Sequence, residues 1–139
     1  MVYEKRSTSI AVLSLTVLTL LSPMFVGASA AKVEPTQRPY RMYIGGTLAP
    51  DYGHLYGPFG ACILIQVSVT WTPPDQYLFI GISENETGPF VGHLWLGGVA
   101  YEAFGGLDMY KNYYILIWSP YFNTKDITYY GYITYWRPW

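Results

Sequence analysis

Ala61-Cys-Ile-Leu-Ile-Gln-Val-Ser-Val-Thr-Trp-Thr72 decides the fold. Ile63, Ile65, Val67, Val69 and Trp71 alternate in it with Gln66, Ser68, Thr70 and Thr72. A period of two sends one set to each face of a strand, one face buried and the other wet. Pro73-Pro74-Asp75 ends the run as a turn. Tyr77 to Ile82 repeats the pattern, with Leu78, Ile80 and Ile82 on one side. Further out, Arg41–Ile44, Gly92–Leu96, Val99–Phe104, Tyr113–Trp118 and Ile127–Trp136 are strand-like, and Ser83–Pro89 is a polar loop. Nothing after Lys32 has the period of an amphipathic helix, and 14 glycines and 10 prolines punctuate the chain too often for one. Short strands with turn signals at about 8–12-residue spacing predict an all-β domain, a sandwich or a barrel, and an antiparallel β-sandwich is the fold expected.

Upstream the composition changes. Lys5 and Arg6 precede Ser7–Ala31, 25 residues without a charge, whose centre is the apolar run Ile10–Leu21. Pro23, Gly27 and then Ala28-Ser29-Ala30 follow. A positive region, an apolar helix, a breaker and small residues are the order of a secretory signal, with cleavage expected after Ala30. Residues 7–31 are also long enough for an uncleaved membrane anchor, which takes about 20 apolar residues. On either reading Lys5 and Arg6 stay on the cytoplasmic side and the rest of the chain is extracytoplasmic. Residues 31–39, polar with Pro35 and Pro39, are a linker, and residues 40–139 are the β domain.

The whole chain of 139 residues is 51% hydrophobic, 19% aromatic and 12% charged, with net charge −1. Without residues 1–30 it keeps six Lys/Arg against eight Asp/Glu, so the charge becomes −2, and 24 of the 26 aromatics remain. That balance excludes an electrostatic nucleic-acid binder. So little charge also predicts a stability that depends weakly on pH. One cysteine, Cys62, excludes an internal disulfide framework and a multi-cysteine zinc site. It is expected to be a small buried residue with no cation nearby in sequence to activate it.

Chemistry-bearing motifs are sparse. There is no nucleophile elbow and no phosphate loop. His54, in a Gly/Tyr/Pro loop, and His93, in a strand, have no spacing that demands a metal. Asp75 and Glu102 are weak metal candidates, and no cofactor is expected. Asp75, Glu84, Glu86 and Glu102 are the carboxylates a small secreted hydrolase would use, since paired carboxyls about 5–9.5 Å apart perform glycoside hydrolysis. Asn85-Glu86-Thr87 is the chain's single N-glycosylation sequon and makes Asn85 a modification candidate in an exported protein.

The aromatics carry more information. Tyr113-Tyr114 and Tyr129-Tyr130 must split between two faces of a strand. One face therefore offers Tyr and Trp to solvent, glycan or another subunit, and Tyr114, Tyr130, Tyr132, Trp136 and Trp139 are its expected members. Alternatively, cross-strand aromatic pairs stiffen the sheet, or fill a second, minor core.

Val67-Ser-Val-Thr-Trp-Thr-Pro-Pro-Asp-Gln-Tyr-Leu-Phe-Ile80, Tyr101-Glu-Ala-Phe104, Tyr113-Tyr-Ile-Leu-Ile-Trp118 and Ile127–Trp136 together resemble the bacterial pre-peptidase C-terminal domain over residues 61–136. Trp71 and Asp75 match its strand-ending Trp and acidic turn. The resemblance implies a jelly-roll-like sandwich that is appended to secreted proteins and binds polymers or cell surfaces. The family's Asp-x-Asp is absent, because Asp75-Gln76-Tyr77 holds one acid, so calcium does not carry over. Small exported β subunits of archaeal surface filaments are a looser likeness. The expected function is a non-catalytic cell-surface or extracellular binding or structural module. Its partners would be other surface proteins, itself or polysaccharide, with membrane contact only through residues 7–31.

Overall fold

The alternation of Leu64–Thr72 is realised as a central strand with Val67, Val69 and Trp71 buried and Gln66, Ser68 and Thr70 half-exposed. The computed structural model describes residues 2–6 and 38–138, with side chains from residue 39 onward. Its strands are β1 Val2–Arg6, β2 Arg38–Leu48, β3 Tyr52–Gly60, β4 Leu64–Thr72, β5 Leu78–Ser83, β6 Val91–Trp95, β7 Val99–Phe104, β8 Asn112–Trp118 and β9 Ile127–Arg137. They form two antiparallel sheets in the orders β1-β3-β8-β5-β6 and β2-β9-β4-β7. The sheets pack face to face as a sandwich. No helix occurs among the described residues, and so none there is long and apolar enough to cross a membrane. The expected cleavage site and the alternative anchor 7–31 lie outside the described residues.

Two boundaries differ from expectation. β2 begins at Arg38 inside the expected linker and runs 11 residues rather than four, because its whole length pairs with β9 from Arg38↔Arg137 to Leu48↔Ile127. The Gly/Tyr/Pro segment that holds His54 is a strand, not a loop. Its glycines serve close approach to β8: a Cβ on Gly53 would sit 2.8 Å from the Ile117 carbonyl oxygen.

The core between the sheets is built from inward residues of both, among them Tyr56, Ile65, Val67, Trp71, Ile80, Phe104, Ile115, Ile117, Tyr129 and Ile133. Each fully buried aliphatic contributes about 1.5–3 kcal/mol of transfer free energy. A second apolar cluster covers the outer face of the five-stranded sheet. Leu55, Phe79, Phe90, Leu116 and Trp118 are 0–2% exposed there, with Leu94 and Tyr114 packed against them. All nine described strands belong to the two sheets, so no third strand layer lies over this face among the described residues. β5 is buried on both sides because it serves both clusters, Leu78, Ile80 and Ile82 facing the core and Phe79 the outer cluster.

Candidate functional site

The outer face of the four-stranded sheet is different in kind. Register sets its residues in rows across the strands. Tyr43 of β2 stands opposite Tyr132 of β9, Tyr132 opposite Ser68 of β4, and Ser68 opposite Tyr101 of β7. The next row is Gly45, Tyr130, Thr70 and Val99, and on the other side lie Arg41, Thr134, Gln66 and Ala103. Trp136 opposes Leu64 at the end of the sheet and donates from Nε1 to Gln66 Oε1 at 3.4 Å. Tyr43 is 76% exposed, Tyr130 70% and Tyr101 53%. These are large rings on an uncovered sheet face, and Arg41 is the one charged residue in the rows.

The geometry of the row limits what it can do. Arg41 lays its guanidinium 4.0 Å above the centroid of Tyr132, so one face of that ring is already taken. Tyr43 meets Tyr132 nearly edge-on, with centroids 6.2 Å apart and planes at 70°. The rings therefore form no coplanar platform. Free ring surface remains at Tyr43, Tyr130 and Tyr101. Burial pushes the Tyr101 phenol up from its ordinary value, and the neighbouring Tyr132 adds to the rise. The Tyr101 phenol therefore stays a neutral donor and acceptor at ordinary pH. The Thr70 and Thr134 hydroxyls in adjoining rows are buried, with no hydrogen-bond partner among the described residues. Exposed tyrosine rings with their own hydroxyls and one arginine form a surface suited to hydrogen-bonded, largely uncharged contact.

Of the expected binding residues, Tyr130, Tyr132 and Trp136 share this face. Tyr114 does not. It lies on β8 in the other sheet, half-buried against the outer apolar cluster, because alternation assigns a side chain to a face but not to a sheet. Trp139 lies outside the described residues. Tyr43, Tyr101 and Arg41 belong to the face and were not expected in it. The signal available for Tyr101 was Val99-Ala-Tyr-Glu-Ala-Phe104, whose alternation places Tyr101 opposite in sense to the core residues Ala100 and Phe104.

The carboxylates do not converge. Glu102 is 2% exposed and bridges the sheets: its oxygens accept from His93 Nδ1 at 2.9 and 3.0 Å, and Oε1 accepts from Trp95 Nε1 at 2.9 Å. Asp75 sits in the β4–β5 turn with Lys125 at 3.9 Å, whereas Glu84 and Glu86 lie at the opposite end of β5. Glu84 pairs with Lys111 at 3.2 Å, which raises the exposed lysine's pKa. Asn85 is exposed in that loop, its backbone N–H held by Ser83 Oγ at 3.0 Å. Among the described residues no three His, Cys, Asp or Glu side chains group as metal ligands.

Two buried sites escaped the linear reading. His54 Nδ1 lies 2.6 Å from Tyr129 Oη, which in turn lies 2.5 Å from Tyr56 Oη. The three come from strands of both sheets, 73 or more residues apart between β3 and β9. Cys62 is buried as expected, and burial pushes its thiol up. Arg137 of β9, distant in sequence, comes close enough to oppose that rise, a cation the local sequence did not reveal.

No protein-family model matches the chain, and no curated protein sequence matches it. Solved structures of similar shape exist. The K2 cleaved adhesin domain of Lys-gingipain is 8% identical, covers 97% of this chain and 99% of its own, and has a TM-score of 0.49. A subunit of disulfide-linked pili, the Bacillus endospore appendages, is 14% identical over 76% of this chain and 93% of its own, with a TM-score of 0.47. A carbohydrate-binding module, CBM36 in complex with calcium and xylotriose, is 13% identical over 68% and 86%, with a TM-score of 0.42.

Proposed function

We propose that this chain is an exported, non-catalytic binding or structural module, extracellular or at the cell surface. It engages another surface protein, a polysaccharide or its own kind through the tyrosine face of the four-stranded sheet. The observation that carries the reading is the cross-strand row Tyr43–Tyr132–Tyr101, flanked by Tyr130 and braced by Arg41, with its outer rings open to solvent. Tyrosine loses little conformational entropy on contact and offers both apolar area and a hydroxyl, which is why such surfaces bind. The uncharged run 7–31 supports export, either by cleavage after Ala30 or as an anchor. Export also makes Asn85 in its exposed loop a glycan acceptor. The resemblance of residues 61–136 to the pre-peptidase C-terminal domain fits the same reading, as does the looser one to archaeal filament subunits.

The test is a pair of variants, Tyr43→Ser and Tyr130→Ser. The secreted protein is assayed for retention on insoluble cellulose, xylan and chitin, and for retention by the producing cell's own surface fraction. Retention by at least one of these, weakened by both substitutions with circular dichroism unchanged, is the expected result. No retention by any matrix, or retention indifferent to both substitutions, overturns the face as the binding site.

A further inference from the structure

The outer edge of β3 carries an inference that rests on the export reading. In this structure that edge is filled by β1, antiparallel, from Val2↔Tyr56 to Arg6↔Tyr52. Lys5 and Arg6 lie ahead of the apolar run, so in an exported chain they stay on the cytoplasmic side whether residues 1–30 are cut away or kept as an anchor. The folded domain is on the other side. Export by either route therefore separates β1 from β3 and leaves the β3 edge open.

That edge is built to pair. Tyr52-Gly-His-Leu-Tyr56 holds no Lys, Glu, Asp or Pro, the residues that normally blunt a free edge. The neighbouring edge strand β2 carries Pro39 and Arg41. Alternation fixes which groups are offered. The Tyr52 carbonyl accepts from Ser119 N–H at 2.8 Å on the β8 side, so Gly53 and Leu55 turn their N–H and C=O outward, where Lys5 and Tyr3 pair with them here. Beyond Tyr56 the register with β8 shifts at Gly57-Pro58, which ends the straight part of the edge. In the five residues that remain, the outward-turned backbone groups of Gly53 and Leu55 lie symmetrically on either side of His54. A second β3 brought up by a two-fold axis is antiparallel by construction: Gly53 pairs with Leu55 of the partner, Leu55 with the partner's Gly53, and His54 faces its equivalent at the axis.

We propose that the exported chain forms a two-fold dimer in which β3 pairs with β3 of a second copy, joining the two large sheets into one. A two-fold contact of this kind is closed and stops at the dimer, and backbone pairing supplies its affinity.

The protein is recovered from the extracytoplasmic fraction of a secreting host and its N-terminus is read by mass spectrometry. Sedimentation velocity and amide hydrogen exchange are then followed over a range of concentration. The expected result is a monomer–dimer equilibrium in which the Gly53 and Leu55 amides are protected about tenfold or more as dimer forms. Amides that bond to β8 keep the same protection throughout. A monomer with fast exchange at Gly53 and Leu55 overturns the inference. So does a dimer that leaves those two amides unprotected, since another surface then makes it. An open-ended series of oligomers also overturns it, because a head-to-tail strand rather than a two-fold pair would then fill the edge. Failure of the export reading is seen separately, as protein confined to the cytoplasm with residues 1–30 intact, and it removes the vacancy on which the dimer depends.

Discussion

Replacing Glu102 with alanine should cost the domain about 3 kcal/mol. Glu102 is 2% exposed on β7 of one sheet, and His93 and Trp95, which donate to it, lie on β6 of the other. A carboxylate can only accept, so His93 Nδ1 carries the proton in these bonds. Each hydrogen bond to a charged group contributes about 1.5–3 kcal/mol, giving roughly 3–6 kcal/mol for the two donors. Removing the carboxylate also removes its own desolvation cost, which returns part of that sum. His93 has 23% of its side chain exposed and recovers water when the carboxylate leaves, so the low end applies. For a domain of this size the loss corresponds to a fall in Tm of about 12–24 °C. Glu102→Gln keeps one acceptor for Trp95 and should cost about half as much. Calorimetry on the two variants, and on Trp95→Phe alone and combined with Glu102→Ala, reads the coupling directly, and the double variant should lose less than the sum of the singles. A Tm within about 2 °C of the parent for Glu102→Ala would refute the seam as a structural tie. The same Glu102→Gln protein tests the hydrolase alternative: turnover of a polysaccharide or peptide by the parent, abolished in the variant, would make Glu102 an acid or base instead.

Four further outcomes follow from the same geometry. Cys62, buried with its thiol pushed up by desolvation, should resist a disulfide-exchange reagent at pH 8 in the folded protein and react fully in denaturant; fast stoichiometric reaction of the folded form would contradict its burial. Burial likewise raises Tyr56 in the folded state, so the stability from these two neutral groups is complete below their unfolded values and lost as pH rises through the folded ones; urea midpoints should begin to fall above pH 9 for Cys62 and above pH 10 for Tyr56, and Tyr56→Phe should remove the second part. Gly46→Ala sets a Cβ 2.6 Å from His54 Cε1 and should destabilise by about 1–3 kcal/mol in chemical denaturation, whereas an unchanged midpoint would mean that His54 is free to move. Asn85→Gln should remove a glycan mass from protein secreted by a glycosylating host and leave the Tm unchanged, and equal masses for parent and variant would show the sequon unused.

Local alternation made the sandwich legible. β4, β5, β7, β8 and β9 each lie within two or three residues of where their period-two runs place them, because burial of one face is written into neighbouring residues. β3 was missed because four of its nine residues, Gly53, Gly57, Pro58 and Gly60, are the ordinary marks of a loop. Gly53 owes its identity to the Ile117 carbonyl of β8, 64 positions away in the chain. The Glu102 seam was hidden for a related reason. Its donors are close in sequence, but a carboxylate at an inward position of Val99–Phe104 becomes tolerable only once β6 of the other sheet brings His93 and Trp95 over it.

The aromatic surface was half legible, and residue type explains which half. Alternation shows that Tyr129 and Tyr130 face opposite ways, but not which one the core takes. The choice falls to His54 and Tyr56, which meet the Tyr129 hydroxyl inside the sandwich and leave Tyr130 to solvent. The sheets divide the remaining aromatics by chemistry. Outward positions of β5 and β8 are Phe79, Leu116 and Trp118, and these are buried. Outward positions of β9 are Thr128, Tyr130, Tyr132 and Thr134, tyrosines interleaved with threonines, and there Tyr130 stands in water while Tyr132 is half-exposed. A Phe or Leu at such a position must be covered to be stable, whereas a Tyr can wait in solvent with its hydroxyl hydrated until a partner displaces the water. Tyr114 is the exception that tests this division. It is a tyrosine at an outward position of β8, and it is half-buried because Leu116 and its neighbours have already made that face apolar. Tyrosine alone therefore does not mark the solvent-facing sheet surface; in this fold tyrosine among threonines does.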